Sequence, residues 1–140
     1  MAAYNKFNQF VQDLGRGVHN LNADTLKIML TNTAPVATNA VFADLTEISA
    51  GSGYSAGGSA VANRAYSQTS GVGKLTGDDV VWTASGTVGP LRYAVLYNDT
   101  PTSPADPLIG WWDRGTSITL ASGDTFTVDL DAIQGILQAQ

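Results

Sequence analysis

Few residues of this chain could do acid–base, nucleophilic or metal chemistry. There is one histidine, His19, beside eleven aspartates, one glutamate, Glu47, and no cysteine. Without cysteine there is no thiolate nucleophile, no disulfide framework and no thiolate metal site. His19 stands between Val18 and Asn20. Serine–histidine–aspartate catalysis needs a nucleophile and an orienting acid converging on the ring. The spacing around His19 supplies neither, so it reads as a capping or surface residue at a helix end. Asp78 and Asp79 read as turn residues, whose carboxylates bond nearby backbone N–H groups. Asp129 and Asp131 lie two apart, on one face of a strand. Such a pair could serve glycoside hydrolysis or hold calcium through oxygen. The chain has no twelve-residue calcium-loop pattern and almost no glutamate, the usual general acid. Turn and edge chemistry is therefore the reading for the acids, with a weak structural cation site behind it. No catalytic residue, cofactor or metal is expected, and an enzyme is the weakest of the functional classes.

Two other features could form a site. Ser49–Ser59, SAGSGYSAGGS, superficially resembles a phosphate-cradling loop. No GxxxxGK[ST] follows it and no strand–loop–helix surrounds it, so a mobile or subunit-contacting loop is expected instead. The aromatic residues Tyr54, Tyr66, Trp82, Tyr93, Tyr97, Trp111 and Trp112 could form a sugar-stacking platform. The alternative, given more weight, is that they build a core and subunit contacts, where large aromatics dominate burial energy.

These residues must be positioned by elements legible from hydrophobic period. Phe7, Phe10, Val11, Leu14 and Val18 recur at helical spacing, which predicts a short amphipathic helix over 4–14, ended by Gly15 or Gly17. Residues 1–20 then form an N-terminal helix or arm that packs on a sheet or docks on a partner. Leu26, Ile28 and Leu30 alternate with Thr25, Lys27 and Met29, as in a half-buried strand. Thr31–Asn39 leaves the sheet, and Phe42, Leu45 and Ile48 suggest a helical turn. After Ala60 everything reads β: Val61–Thr69, a hairpin of Val72–Leu75 with Val80–Thr83, and a second hairpin turning at Ala121–Asp124 between Ile118–Leu120 and Phe126–Leu130. Ile133–Leu137 gives a last short strand. The spacing predicts a mainly β chain, a compact antiparallel β-sandwich or jelly-roll-like barrel forming one domain over 1–140.

The densest stretch is Leu91–Gly115, in which Leu91–Tyr97 and Leu108–Trp112 flank a loop with three prolines. Neighbouring residues on a strand face opposite ways. Trp111 and Trp112 therefore cannot share one core: one is buried in the subunit and the other faces a second layer or a neighbour. The expected partner interface comprises Phe7, Phe10, Val11, Leu14, Tyr54, Trp111 and Trp112.

The net charge is −5, with seven Lys and Arg scattered along 140 residues. A nucleic-acid binder gathers its basic residues on one surface, so nucleic acid is not an expected partner. The N-terminus, MAAYNKFNQF, lacks a signal-peptide pattern, and no apolar run approaches the ~20 residues that cross a bilayer. A soluble chain without a membrane partner is expected.

The opening YNKFNQFVQDLGRGVHNLNADTLKIMLTNTAPVATNAVFADLTEI, the GSGYSAGG loop and the later GPLRYAVLYNDT and PLIGWWDRGTSITLASGDTFTVDLD resemble small virion proteins encoded near the head genes of tailed bacteriophages. The similarity spans nearly the whole chain as an overall pattern. It implies a non-enzymatic capsid decoration (cement) protein, made in the bacterial cytoplasm, that sits as a homotrimer on the virion surface. The partner implied is the major capsid protein, whose subunits it would bridge. A head–tail connector or tail component is the runner-up in the same setting. A carbohydrate-binding module using Trp111 or Trp112 is the rival from another class.

Overall fold

Leu26–Thr31 shows how the chain is layered. Leu26, Ile28 and Leu30 are fully buried on one face, yet Met29 and Thr31 on the other face are fully buried too. The strand is covered on both sides rather than half-buried, because a second apolar cluster roofs its outer face. A computed structural model of the chain describes residues 3–130 and 135–139. In chain order the strands are β1 (Tyr4–Lys6), β2 (Leu26–Thr31), β3 (Ser59–Ala60), β4 (Ala65–Thr69), β5 (Val72–Thr76), β6 (Val80–Thr83), β7 (Val88–Asn98), β8 (Leu108–Leu120), β9 (Thr125–Val128) and β10 (Leu137–Ala139). One helix, α1 (Asn8–Gly15), follows β1, and a 3-10 turn covers Phe42–Asp44.

All the pairings among the described residues are antiparallel. One layer is a five-stranded sheet in the order β1-β8-β7-β2-β3, and the other combines β10-β5-β4 with the pair β6-β9. The main core lies between these layers. Ile28, Ala94, Leu96, Ile109 and Trp112 of the first layer meet Leu75, Val80, Trp82, Val128 and Leu137 of the second. The fold is thus mainly β with one short helix, a sandwich whose sheets do not close into a barrel. The outer face of the five-stranded sheet carries the smaller cluster of Phe7, Met29, Val95, Tyr97 and Leu108, covered by Phe42, Leu45 and Trp111.

β7 and β8 form a hairpin roughly 35–45 Å long at strand rise. It is not straight. Tyr93 pairs with Asp113 and Leu91 with Ile118, so Arg92 alone faces the four residues Arg114–Ser117. A bulge of this kind bends a ladder and sharpens its twist. Here Val88, Leu91 and Leu120 at the far end return to the main core.

Three sequence expectations are corrected by pairing. The helix does not begin at residue 4, since Tyr4–Lys6 is a strand on Gly110–Trp112. Phe7 has extended backbone and donates its N–H to the Ile109 carbonyl at 3.1 Å. It lies in the outer cluster while Phe10 lies in the main core. Helical spacing placed the two on one face, but a strand-to-helix junction between them breaks that phase. Val72–Leu75 and Val80–Thr83 do not pair with each other: β5 lies between β4 and β10, and β6 pairs with β9. Likewise β8 and β9, though joined by a short turn, do not pair; β8 takes β7 and β9 takes β6. A short link permits a hairpin without requiring one: β6 leaves the sheet of β5, and β9 leaves the sheet of β8. The helix stop is as read, with Gly17 at φ 77 donating to the Leu14 carbonyl. Residues 133–134 of the expected last strand lie outside the described residues, and β10 begins at Leu137.

Candidate partner-binding seam

Because β8 and β9 part company, a seam opens between the layers. It is a cleft of about 360 Å³ lined by Arg92, Ala94, Trp112, Arg114, Ile118 and the consecutive run Thr125–Asp129. Trp112 and Ile118, on either side of the bulge in β8, both border the main core. Ala94, Trp112, Ile118 and Phe126 make the apolar floor, and Trp82 backs Phe126 with ring centroids 6.2 Å apart.

Arg92 and Asp113 hold the bulge at the rim. The guanidinium donates from Nε at 2.8 Å and from Nη2 at 3.1 Å to the two carboxylate oxygens, and the Gly115 N–H donates to Oδ1 at 2.8 Å. The hydrogen bonds from Arg92, then that from Gly115, hold the Asp113 carboxyl below the usual carboxylate range. Both partners are about a third exposed. The pair therefore orders the bulge more than it stabilises the fold. Arg114 Nη1 donates to the carbonyl and hydroxyl of Thr116 at 3.2 and 2.8 Å.

β9 faces the seam with its backbone. The Ala84 N–H donates to the Asp124 carbonyl at 2.8 Å, one step beyond the Thr83–Thr125 pair. Hydrogen-bonded pairs alternate along an antiparallel ladder. Trp82–Phe126 and Val80–Val128 are therefore the bonded pairs, and the backbone N–H and C=O groups of Thr125 and Thr127 point away from β6. No described strand lies on that side of β9. On the opposite wall β1 covers Gly110–Trp112, the Ile109 carbonyl accepts the Phe7 N–H and the Leu108 N–H donates to the Ala40 carbonyl, so among the described residues the unpaired edge of β8 begins beyond Trp112.

The expected interface residues divide. Trp112 is in the main core, edge-on to Tyr4 at 5.7 Å, and Trp111 is half-buried in the outer cluster, 4.5 Å from Phe7. That is the division that adjacent strand positions require, and the second layer belongs to the same chain. Phe7, Phe10, Tyr54 and Trp112 are buried within the subunit and are corrected from surface contacts to core. Leu14 packs partly on the main core, while Val11 is 54% exposed.

The glycine-rich loop is hydrogen-bonded to both layers, to Leu30 of β2 and to Ser85 just beyond β6, and so clasps them together. The Tyr54 hydroxyl accepts the Leu30 N–H at 3.0 Å, and the Glu47 carboxylate accepts the Gly57 N–H at 2.7 and 3.0 Å. The Tyr97 hydroxyl donates to the Gly57 carbonyl. Burial pushes the Tyr54 phenol up, with Glu47 adding to the effect. A Cβ on Gly58, at φ 82, would overlap the Ile28 carbonyl, and one on Gly53, at φ 103, the Thr83 carbonyl. Only glycine allows that approach.

His19 is buried rather than on the surface. The Asn98 amide nitrogen donates to Asp24 Oδ2 at 2.7 Å and lies 3.1 Å from His19 Nδ1. Nδ1 is thereby assigned as an acceptor, which puts the ring proton on Nε2. That Nε2 and Asp13 Oδ2 are both buried without a hydrogen-bond partner. Burial lowers the His19 pKa, and Asp13 and Asp24 offset part of the shift. Asp78 and Asp79 lie in the link between β5 and β6 and, rather than bonding nearby backbone as in a local turn, take distant groups, the Asn63 amide at 2.6 Å and the Leu130 N–H at 2.7 Å. Asp129 is exposed at the rim of the seam, and Asp131 lies outside the described residues. Among the described residues no group of three or more His, Asp and Glu could hold a metal ion, and no helix is long and apolar enough to cross a membrane.

Sequence reasoning passed over Arg92, Asp113, Arg114 and Phe126. The signal was in WWDRG, where period two sets Arg114 beside Trp112 on one face. The bulge that turns Arg92 to the same rim has no signature of its own. Comparisons with protein families, curated proteins and solved structures return no match.

Proposed function

We propose that this chain is a non-enzymatic virion structural protein of a tailed bacteriophage. It binds the outside of the capsid as a homotrimer and stabilises the shell by bridging subunits of the major capsid protein. The observation that carries a binding role is the seam between β8 and β9, where the open edge of β9 and the part of β8 beyond Trp112 flank an apolar floor. An edge of this kind is a template for another chain unless it is covered. The location on a phage capsid is supported by the sequence resemblance. Many copies arranged by symmetry would add modest interfaces into firm attachment.

The test is reattachment. Purified protein is mixed with capsids that lack it, and bound copies are counted against the shell protein after sedimentation. Saturation at a fixed ratio, with a higher capsid disruption temperature, is expected. Native mass measurement should give a trimer; a stable ring of six or more copies, or recovery only with tails, would replace this reading with the connector.

A further inference from the structure

We infer that His19 is an acid-sensitive latch: when neutral it seats the C-terminal end of α1 against β7, and on taking a proton it releases that end while the sandwich stays folded. The latch rests on the polarity of its hydrogen bonds. The Asn98 side chain is buried, and its orientation is fixed at both ends. Its carbonyl oxygen accepts the Thr100 N–H at 3.1 Å, and its amide nitrogen donates to Asp24 Oδ2 at 2.7 Å. The atom that faces His19 Nδ1 at 3.1 Å is therefore a donor, and it holds the ring only while Nδ1 keeps a free lone pair. A proton on Nδ1 sets two donors against each other. Turning the amide over gives no relief, because it would put the oxygen against the Asp24 carboxylate and the nitrogen against the Thr100 N–H.

The ring has to move, and its surroundings set the direction. The charged groups facing it are Asp13 from α1 and Asp24 from the turn before β2, while β7 contributes the neutral Asn98. Asp24 Oδ2 is already taken by Asn98 and by the Asn20 N–H at 2.9 Å. Asp13 Oδ1 takes the Gln9 amide at 3.0 Å, but Asp13 Oδ2 and His19 Nε2 are both buried without a hydrogen-bond partner. These residues are 4% and 6% exposed, so an acceptor and a donor of complementary kind are enclosed together with the ring. An imidazolium would turn them into a charge-assisted pair. Asp13 and His19 also belong to one stretch, since the Val18 N–H donates to the Asp13 carbonyl at 2.9 Å and the Phe10 ring centroid lies 5.2 Å from that of His19. Charged His19 thus parts from β7 and leaves with α1. The turn beyond it has anchors of its own: the Thr25 carbonyl accepts the Asp99 N–H at 2.9 Å, Asn22 Oδ1 accepts the Tyr66 N–H at 3.1 Å, and the Ala23 carbonyl takes the Arg64 guanidinium.

The test follows the isotope-labelled full-length protein by NMR from about pH 7.5 to about pH 5, above the usual carboxylate range. Ring nitrogen shifts should show the Nε2–H tautomer at neutral pH. Hydrogen exchange is read at the Arg16 and Val18 amides, which bond the Gln12 and Asp13 carbonyls at 3.0 and 2.9 Å. A helix this short does not hold such bonds once it leaves the sheet. After correction for the intrinsic exchange rate, their opening constant should rise about tenfold per pH unit below 6.5, the slope of one proton, while amides of β2 and β7 keep their protection. His19→Gln should abolish the slope. Asp13→Asn keeps the size of the side chain but removes the carboxylate that receives the charged ring, so it should move the opening to lower pH. It also covers the case in which the glutamine variant fails to fold.

An Nδ1–H tautomer at neutral pH would overturn the latch, as would a slope that survives in His19→Gln. So would an unmoved opening in Asp13→Asn, or loss of protection in β2 and β7 together with α1, which would make the transition global. None of these outcomes depends on attachment to capsids.

Discussion

Tyr54→Phe deletes one oxygen and tests whether the glycine-rich loop clasps the sandwich. The Tyr54 side chain is 2% exposed, and its hydroxyl accepts the Leu30 N–H of β2 at 3.0 Å. Phenylalanine keeps the ring, the packing on Trp82 and the loop backbone. What it leaves is a buried N–H without a partner, which costs about 1–3 kcal/mol. For a chain of 140 residues, an unfolding entropy of roughly 2.1 cal/mol/K per residue makes each kcal/mol worth about 3–4 °C in Tm. The expected fall is therefore about 3–10 °C. Thermal melts at neutral pH, followed by far-UV circular dichroism, measure it, and hydrogen exchange at the Leu30 amide reports the bond itself. Tyr97→Phe, which removes the donor to the Gly57 carbonyl, completes a double-mutant cycle on the same loop. If the loop acts as one clasp, the two losses are not additive. A Tyr54→Phe protein melting within about 1 °C of the parent, with unchanged exchange at Leu30, would refute the clasp and return the loop to an open segment.

Three further outcomes are expected. Phe7→Ala empties a fully buried position beside Trp111 and should cost about 3–5 kcal/mol in denaturant unfolding, whereas Val11→Ala, at a site 54% exposed, should stay within about 0.5 kcal/mol; equal effects would mean that the helix and not the strand junction organises the N-terminus. His19 is held below its ordinary value of 6.5, so the unfolded chain takes up its proton first as pH falls. The stability associated with neutral His19 is fully present above 6.5 and is lost as pH drops through the lowered folded value; His19→Gln should flatten that part of the stability profile relative to the parent, and parallel profiles would contradict it. Gly58→Ala should sharply reduce the yield of folded protein or lower Tm by more than Tyr54→Phe does, because the added methyl overlaps the Ile28 carbonyl; a folded protein of unchanged Tm would show that the loop can lift off β2.

The sequence by itself determined most of what depends on local period and composition. Leu26, Ile28 and Leu30 share a face because a strand repeats every two residues, and Trp111 and Trp112 part for the same reason. Gly17 ends the helix because a left-handed residue is needed there. The predominance of strands follows from β-branched and aromatic alternation bounded by turns. Other features were decided only by tertiary structure. Local pattern carries no information about partners: β5 with β6, and β8 with β9, read as hairpins, whereas β6 and β9 pair with each other, β5 lies between β4 and β10, and β8 lies between β1 and β7. Phe7 sits at helical spacing from Phe10, yet the bonds that β1 makes to β8 hold it extended and turn it to the opposite face of the sheet. The seam is the clearest case. Arg92 and Arg114 are twenty-two positions apart in the chain, and they line one cleft because a bulge in β8 and the crossing of β9 to the other layer bring them there. Pairing between distant strands fixes which edges stay open, and the open edges are where a partner can add.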